Sequence, residues 1–308
     1  MRAVVLREFG GPEVLSVEEL PTPPTGPDMV LVRAEAAAVN PVDWKIRRGY
    51  LTGAYPHHFP LVPGWDVAGV VEAVGPAVTE FAPGDPVLGY VRRDEVQHGT
   101  YAELVPAPIR TLARRPEGLD AVTAAAVPLA GLTAHQALDA IGVGEGDTVL
   151  VHSAAGGVGS FAVQLARLRG ARVIGTCGER NDDYLRELGV EPVRYGEGLA
   201  ARVRELAPEG VDAVVDLRGP DALATTPEVL RTPGRVVSIV DAGAVKELGG
   251  RYVFVRPNPE QLAELARLVA DGKLRVEISE RFPLERAADA HRRSEEGHVR
   301  GKIVIEIA

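Results

Sequence analysis

Thr148-Val149-Leu150-Val151-His152-Ser153-Ala154-Ala155-Gly156-Gly157-Val158-Gly159, followed by Ser160-Phe161-Ala162-Val163-Gln164-Leu165-Ala166, decides the fold of this chain. The apolar run to Val151 predicts a buried strand. The residues after Gly159 repeat apolar positions at helical spacing. A strand, a tight glycine turn and a helix form the phosphate-binding start of a Rossmann unit. Glycines admit a pyrophosphate close to the backbone, and a helix N-terminus offers it free N–H groups and positive dipole. The turn departs from the usual fingerprint in one place: its first glycine is Ala154. Ala155, Gly156, Gly157, Val158 and Gly159 are the expected cofactor contacts.

The pattern outward from this turn divides the chain in two. From about Asp120 onward strands and helices alternate: strand 148–152, helix 158–169, strand 171–176, helix 181–188, strand 192–194, helix 198–206, strand 211–216, helix 221–230 and strand 234–240. Alternation at this spacing predicts a doubly wound parallel sheet. Ala121 to Leu138 reads as one helix before it. The first third is instead rich in short strands, such as Val30–Ala36 and Val67–Val74, broken by Gly and Pro. That texture predicts a barrel-like β domain. A helix over Pro257–Gly272 and a closing strand, Lys302–Ile307, follow. The expected fold class is therefore α/β, with residues 1–120 and 257–308 in a β-rich domain and 121–256 in the Rossmann domain.

Composition narrows the function. The 308 residues carry a net charge of -9, which excludes the basic excess that nucleic-acid binding needs. The longest apolar stretch, Ala121 to Ala134, contains Pro128 and is too short to cross a bilayer. Met1 to Arg7 reads as a strand rather than as a targeting segment. One cysteine, Cys177, excludes an intramolecular disulfide and fits a reducing cytoplasm. His57 and His58 are adjacent on a loop without the further ligands a metal needs.

Several segments, in order, carry a family resemblance. They are Ala38-Val39-Asn40-Pro41-Val42-Asp43, Pro63-Gly64-Trp65-Asp66-Val67-Ala68-Gly69, Phe81-Ala82-Pro83-Gly84-Asp85, Gly99-Thr100-Tyr101-Ala102-Glu103 and Gly131-Leu132-Thr133-Ala134. The glycine turn and His298-Val299-Arg300-Gly301-Lys302-Ile303-Val304 complete the set. With these the chain resembles the medium-chain dehydrogenase/reductase superfamily, and within it the zinc-independent quinone oxidoreductases. The resemblance implies a GroES-like β domain beside the Rossmann domain, and a homodimer joined through the Rossmann sheets near Gly234–Val240.

It also implies site residues. Zinc-dependent members place a cysteine at Asn40 and a histidine at Trp65, with a third ligand near Leu129. An amide, an indole and an aliphatic side chain do not replace them. The expectation is a site without zinc. Asn40 is the leading catalytic candidate, with Tyr50 and Tyr55 as candidate proton donors. Thr133 and Val240 are implied contacts to the nicotinamide half, and Lys302 to the cofactor phosphates. At the adenosine half the acidic residue of NAD-specific sites falls on Cys177. Arg180 and Tyr195 stand where a 2′-phosphate would be read, and Glu179 offers the competing NADH reading. Charge complementarity favours NADPH.

Without a metal, hydrogen-bond donors alone must polarise the substrate. That suits conjugated carbonyls and quinones, whose developing charge delocalises, better than alcohols. The expected activity is NADPH-dependent reduction of quinones or α,β-unsaturated carbonyls. A zinc-independent NADP-dependent alcohol dehydrogenase and a non-catalytic NADPH-binding protein are the alternatives.

Overall fold

Met29–Val39 is apolar at almost every position, and Val30 to Val32, Ala34 and Ala36 to Val39 are buried. A strand of this composition belongs at the centre of a covered sheet. The computed structural model, which describes residues 1–231 and 235–307, places it there. The chain forms two units, Met1–Leu129 with Pro257–Ala308, and Ala130–Arg256.

The first unit begins with β1 (Arg2–Val5), β2 (Ser16–Glu19), β3 (Met29–Val39), helix α1 (Pro41–Arg47), β4 (His57–Val62), β5 (Asp66–Val74), β6 (Pro86–Tyr90), β7 (Val96–His98), β8 (Leu104–Pro108), β9 (Leu112–Arg114) and α2 (Ala121–Ala125). Helix α3 (Pro128–Ala140) carries the chain into the second unit. There follow β10 (Thr148–Val151), α4 (Gly157–Leu168), β11 (Arg172–Cys177), α5 (Asp182–Glu187), β12 (Glu191–Arg194), α6 (Leu199–Leu206), β13 (Ala213–Asp216), α7 (Pro220–Leu223), α8 (Thr226–Val229), β14 (Val236–Ser238), α9 (Ala242–Glu247) and β15 (Arg251–Tyr252). The chain then returns to the first unit as α10 (Pro259–Ala270), β16 (Ile278–Pro283), α11 (Ala287–Glu296) and β17 (Lys302–Glu306).

In the first unit the main sheet runs β16-β17-β3-β5-β6-β9. One edge of β3 serves two partners: Met29–Arg33 pairs with β8, and Ala36–Val39 pairs with β17. Its other edge pairs with β5. The second unit is a parallel sheet in the order β12-β11-β10-β13-β14-β15. The chain enters at β10, builds outward to β12, then crosses back to β13. The order therefore reverses between β10 and β13, which is where open α/β sheets bind ligands.

Four expectations need correction. The first boundary lies after Leu129, not after residue 120, because α2 packs on β3 and β5 of the first unit. The single helix over 121–138 is two, since Pro128 disfavours helical backbone at Val127 and starts α3 afresh. The helix over 221–230 is likewise two short pieces, α7 and α8, with Pro227 in the first turn of the second. The strand expected over 234–240 is the shorter Val236–Ser238; it lies next to the sheet edge, which is β15. Gly234 lies outside the described residues.

Candidate active site and dinucleotide site

The register of the first unit's sheet sets three polar residues in a row. Asn40 directly follows β3, Asp66 opens β5 opposite Ala38, and Lys302 opens β17 just before Ile303, which pairs with Val39. All three are at most 4% exposed. Lys302 Nζ donates to Asn40 Oδ1 at 2.5 Å and to the Val39 carbonyl at 3.2 Å, and lies 3.8 Å from Asp66 Oδ2. Asn40 Nδ2 donates to Asp66 Oδ2 at 2.9 Å. The Leu129 N–H donates to Asp66 Oδ1 at 2.8 Å. An ammonium only donates and a carboxylate only accepts, so the Asn40 amide has one admissible orientation. Its oxygen faces Lys302 and its nitrogen faces Asp66. One of the two Nδ2 hydrogens goes to Asp66.

Asp43 completes the cluster. As the third residue of α1 it accepts the Asn40 N–H at 2.7 Å, which fixes the entry to the helix. It also accepts the Tyr101 hydroxyl at 2.9 Å. Burial pushes the Asp43 carboxyl up to about 7, against the bonds from Asn40 and Tyr101. Burial likewise lifts Asp66 to about 6, against the pull of Lys302. Lys302 is held below the usual lysine range by burial, opposed by Asp66 and Asp43.

Lys302 is therefore not held out toward cofactor phosphates, as the sequence suggests; its ammonium is engaged inside the first unit. The three positions compared with zinc ligands carry an amide bonded to Lys302, a buried indole and a leucine. Trp65 packs edge-on against Tyr55 and Tyr90, with ring centroids 6.2 and 6.0 Å away. A divalent cation has no ligand set here and would meet a resident ammonium. These residues do not fit zinc. No cluster of His, Cys, Asp and Glu able to hold a metal occurs among the described residues. His57 Nδ1 lies 2.8 Å from the Tyr55 carbonyl, and His58 pairs with Glu95 at 3.5 Å.

The two tyrosines differ. Tyr50 is 67% exposed and meets Trp44 edge-on. The Tyr55 hydroxyl accepts from Arg92 Nη1 at 2.9 Å. A shallow pocket opens between Val62–Trp65 and Val91–Gly99, with Trp65, Arg93 and His98 in its wall.

The second unit carries the dinucleotide turn. Ser153 adopts a left-handed backbone, and the turn is tied to the end of β11. The Ser153 N–H donates to Thr176 Oγ1 at 2.9 Å, and the Ala154 N–H to the Thr176 carbonyl at 3.0 Å. Gly156 caps α4, so the Gly157, Val158 and Gly159 N–H groups have no partner within the helix. Those residues fit a pyrophosphate. A Cβ at Gly159 would stand 2.2 Å from the Ser153 carbonyl oxygen. The missing first glycine is also explained. The methyl of Ala154 lies against β11, where a Cβ at Gly175 would come within 2.7 Å of it. Ala154 is thus tolerated beside Gly175, which carries no side chain.

At the adenosine end, Cys177 ends β11 buried, and burial pushes its thiol up to about 12. Sequence reasoning missed its neighbours. Strand pairing sets Arg194 beside Cys177, and Arg194 forms a bidentate pair with Asp182, which also accepts the Cys177 thiol at 3.3 Å. Only the parallel register could reveal this, because 177, 182 and 194 are unremarkable apart. Tyr195 is 59% exposed, with its hydroxyl 3.7 Å from where a Cβ on Gly178 would stand. Glu179 and Arg180 are exposed in the turn after β11. Arg180, Arg194 and Tyr195 thus follow or end two adjacent strands. Thr133 is buried in α3, and Val240, just past β14, is half-exposed.

Two family models match the chain: an alcohol dehydrogenase GroES-like domain over residues 26–117 and a zinc-binding dehydrogenase domain over 188–305. A chloroplast envelope quinone oxidoreductase homolog of Arabidopsis thaliana is 34% identical, over 99% of this chain and 98% of that protein. The NADPH-dependent alkenal/one oxidoreductase of Arabidopsis thaliana chloroplasts is 35% identical, over 99% of this chain and 79% of its own length. The structure of the quinone oxidoreductase from Coxiella burnetii superposes with a TM-score of 0.91 at 36% identity, covering 100% of this chain and 99% of that one.

Proposed function

Because the chain belongs to the quinone oxidoreductases of the medium-chain dehydrogenase/reductase superfamily, we propose that it reduces quinones or α,β-unsaturated carbonyls with NADPH and without zinc. The observation that carries this reading is the row Lys302–Asn40–Asp66, which sets a fixed amide donor where metal-dependent relatives need a ligand. The second hydrogen of Asn40 Nδ2 is the donor to the substrate oxygen. Lys302 and Asp66 keep the amide from turning its oxygen there instead. A neutral donor stabilises charge less than a Lewis acid does, so the substrate must delocalise that charge itself. Conjugated carbonyls and quinones do. Tyr55, held by Arg92, is the proposed proton donor, ahead of the exposed Tyr50.

NADPH, when bound, supplies the hydride. The turn from Ala155 to Gly159 holds its pyrophosphate, and Thr133 and Val240 flank its nicotinamide half. Arg180 and Tyr195 read its 2′-phosphate, joined by Arg194. The guanidinium fork of Arg180 suits that dianion, and no carboxylate replaces Cys177 to favour a ribose hydroxyl.

Steady-state assay with a quinone, an enone and an aliphatic alcohol tests the reading. The expected result is NADPH consumption with the first two, preference over NADH, and loss of that preference in Arg180→Ala. Turnover confined to the alcohol, with NADP+ supplied as oxidant, would establish an alcohol dehydrogenase instead, and tight NADPH binding without turnover a non-catalytic role. We also propose a cytoplasmic homodimer. The support for the dimer is the edge strand β15, where Tyr252 and, just past it, Phe254 are 41% and 46% exposed. No helix of the described residues is long and apolar enough to cross a membrane.

A further inference from the structure

Asp216 ends β13 and Ser238 ends the neighbouring β14, and both are fully buried. Asp216 Oδ1 accepts the Arg218 and Gly219 N–H groups, each at 2.9 Å. Its Oδ2 accepts the Ser238 hydroxyl at 2.7 Å. Ser238 Oγ in turn accepts the Val240 N–H at 3.0 Å and the Asp241 N–H at 3.1 Å. One donated and two accepted bonds exhaust a hydroxyl. The Ile239 N–H donates to the Asp216 carbonyl at 3.3 Å, and Asp241 then caps α9 by accepting from Ala244 at 2.8 Å.

The pair therefore ties together the loops that leave two adjacent parallel strands. Besides the bond between the two side chains, each of them accepts from two main-chain N–H groups just beyond its own strand. His152, just past β10, is buried and pushed down to about 4 by that burial, so it stands neutral near Asp216. No bond among the described residues uses the Val240 carbonyl, whereas its N–H is committed to Ser238.

We propose that Asp216 and Ser238 are positioning residues, which hold the Val240 main chain so that its carbonyl receives the carboxamide of the nicotinamide ring. The proposal rests on the dinucleotide reading above. It assigns the clasp to the reactive half of the cofactor alone. Ser238→Ala removes one oxygen, yet it releases two backbone N–H groups and one bond to Asp216. The loop then loses its fixed position while the glycine turn, tied to Thr176, keeps its own.

Calorimetric titration with two probes tests this: NADPH, and 2′-phospho-adenosine diphosphoribose, which lacks the nicotinamide. In Ser238→Ala and Asp216→Asn the affinity for NADPH is expected to fall by about tenfold, the effect of one lost hydrogen bond with its ordered loop. The fragment should bind within about twofold of wild type. Ser238→Thr, which keeps the hydroxyl, should bind NADPH as wild type does. Equal weakening of both probes, or unchanged NADPH affinity in Ser238→Ala, overturns the proposal. Wild-type protein that binds neither probe overturns the dinucleotide reading itself, a different result.

Discussion

Replacing Lys302 by methionine is expected to destabilise the first unit by about 3–5 kcal/mol, the usual cost of removing one partner of a buried ion pair. The substitution keeps most of the side-chain volume, so the loss is chiefly electrostatic. It strands Asp66, which is wholly buried, with only the Asn40 amide and the Leu129 N–H as partners. It also frees the Asn40 amide to turn. Urea unfolding followed by tryptophan fluorescence reads this unit selectively, since the chain's two tryptophans, Trp44 and Trp65, both lie in it.

The effect has a definite pH sign. An acid whose folded pKa lies above its unfolded value binds more protons when folded, so its contribution to stability falls as pH rises between the two. Asp66 already stands at about 6, and Lys302 is what holds it down. Without the ammonium its pKa rises further. The deficit of the variant should therefore grow as pH rises above about 6, by at most about 1.4 kcal/mol per pH unit for each carboxyl affected. Adding Asp66→Asn should reduce that growth to the part carried by Asp43, whose carboxyl Lys302 also holds down. A loss below about 1 kcal/mol, flat with pH, would mean that the row is not the coupled unit its geometry describes.

Gly159→Ala carries the second large effect. The new methyl would stand 2.2 Å from the Ser153 carbonyl oxygen and 2.8 Å from the Ala154 backbone. Neither atom is the end of a flexible side chain, and the turn is anchored to Thr176 through two bonds. The helix must move away from the turn. The expected cost is about 1–3 kcal/mol of overpacking. Displacing the N–H groups proposed to receive the pyrophosphate should weaken NADPH binding by about ten- to a hundredfold, since hydrogen bonds to charged groups contribute about 1.5–3 kcal/mol each. Gly144→Ala is the control. A Cβ there meets nothing within 4 Å, so the change should stay within about 0.5 kcal/mol and leave binding intact. Equal behaviour of the two variants would remove the turn from the cofactor site.

What could be read from the sequence was local. The strand, turn and helix around Gly156–Gly159 announce themselves within twenty or so residues, because the periodicity changes from apolar run to helical repeat across glycines. Within β3 the β-rich run Val30–Ala36 is legible, but the strand reaches from Met29 to Val39. The buried polar row was not. Residues 40, 66 and 302 meet only through the register of three strands, and Lys302 looks like any surface lysine until β17 is placed beside β3. The pair of Arg194 and Asp182 depends equally on register. The edge strand β16, which alternates partly exposed positions, and helix α11, whose buried face is built from alanines and His291, left no strong apolar signal. Ala154 looked like a weakened fingerprint, and only the fold shows that its methyl has room because Gly175 faces it.

The central claim is that a fixed amide, not a metal, polarises a substrate that NADPH then reduces. Dialysis against a strong chelator, metal analysis of the product, and assay of NADPH consumption with a quinone and an enone test it most directly. The account predicts turnover unchanged by the treatment in protein free of zinc, and its loss in Asn40→Ala. Activity that disappears with the chelator and returns with added zinc would contradict it.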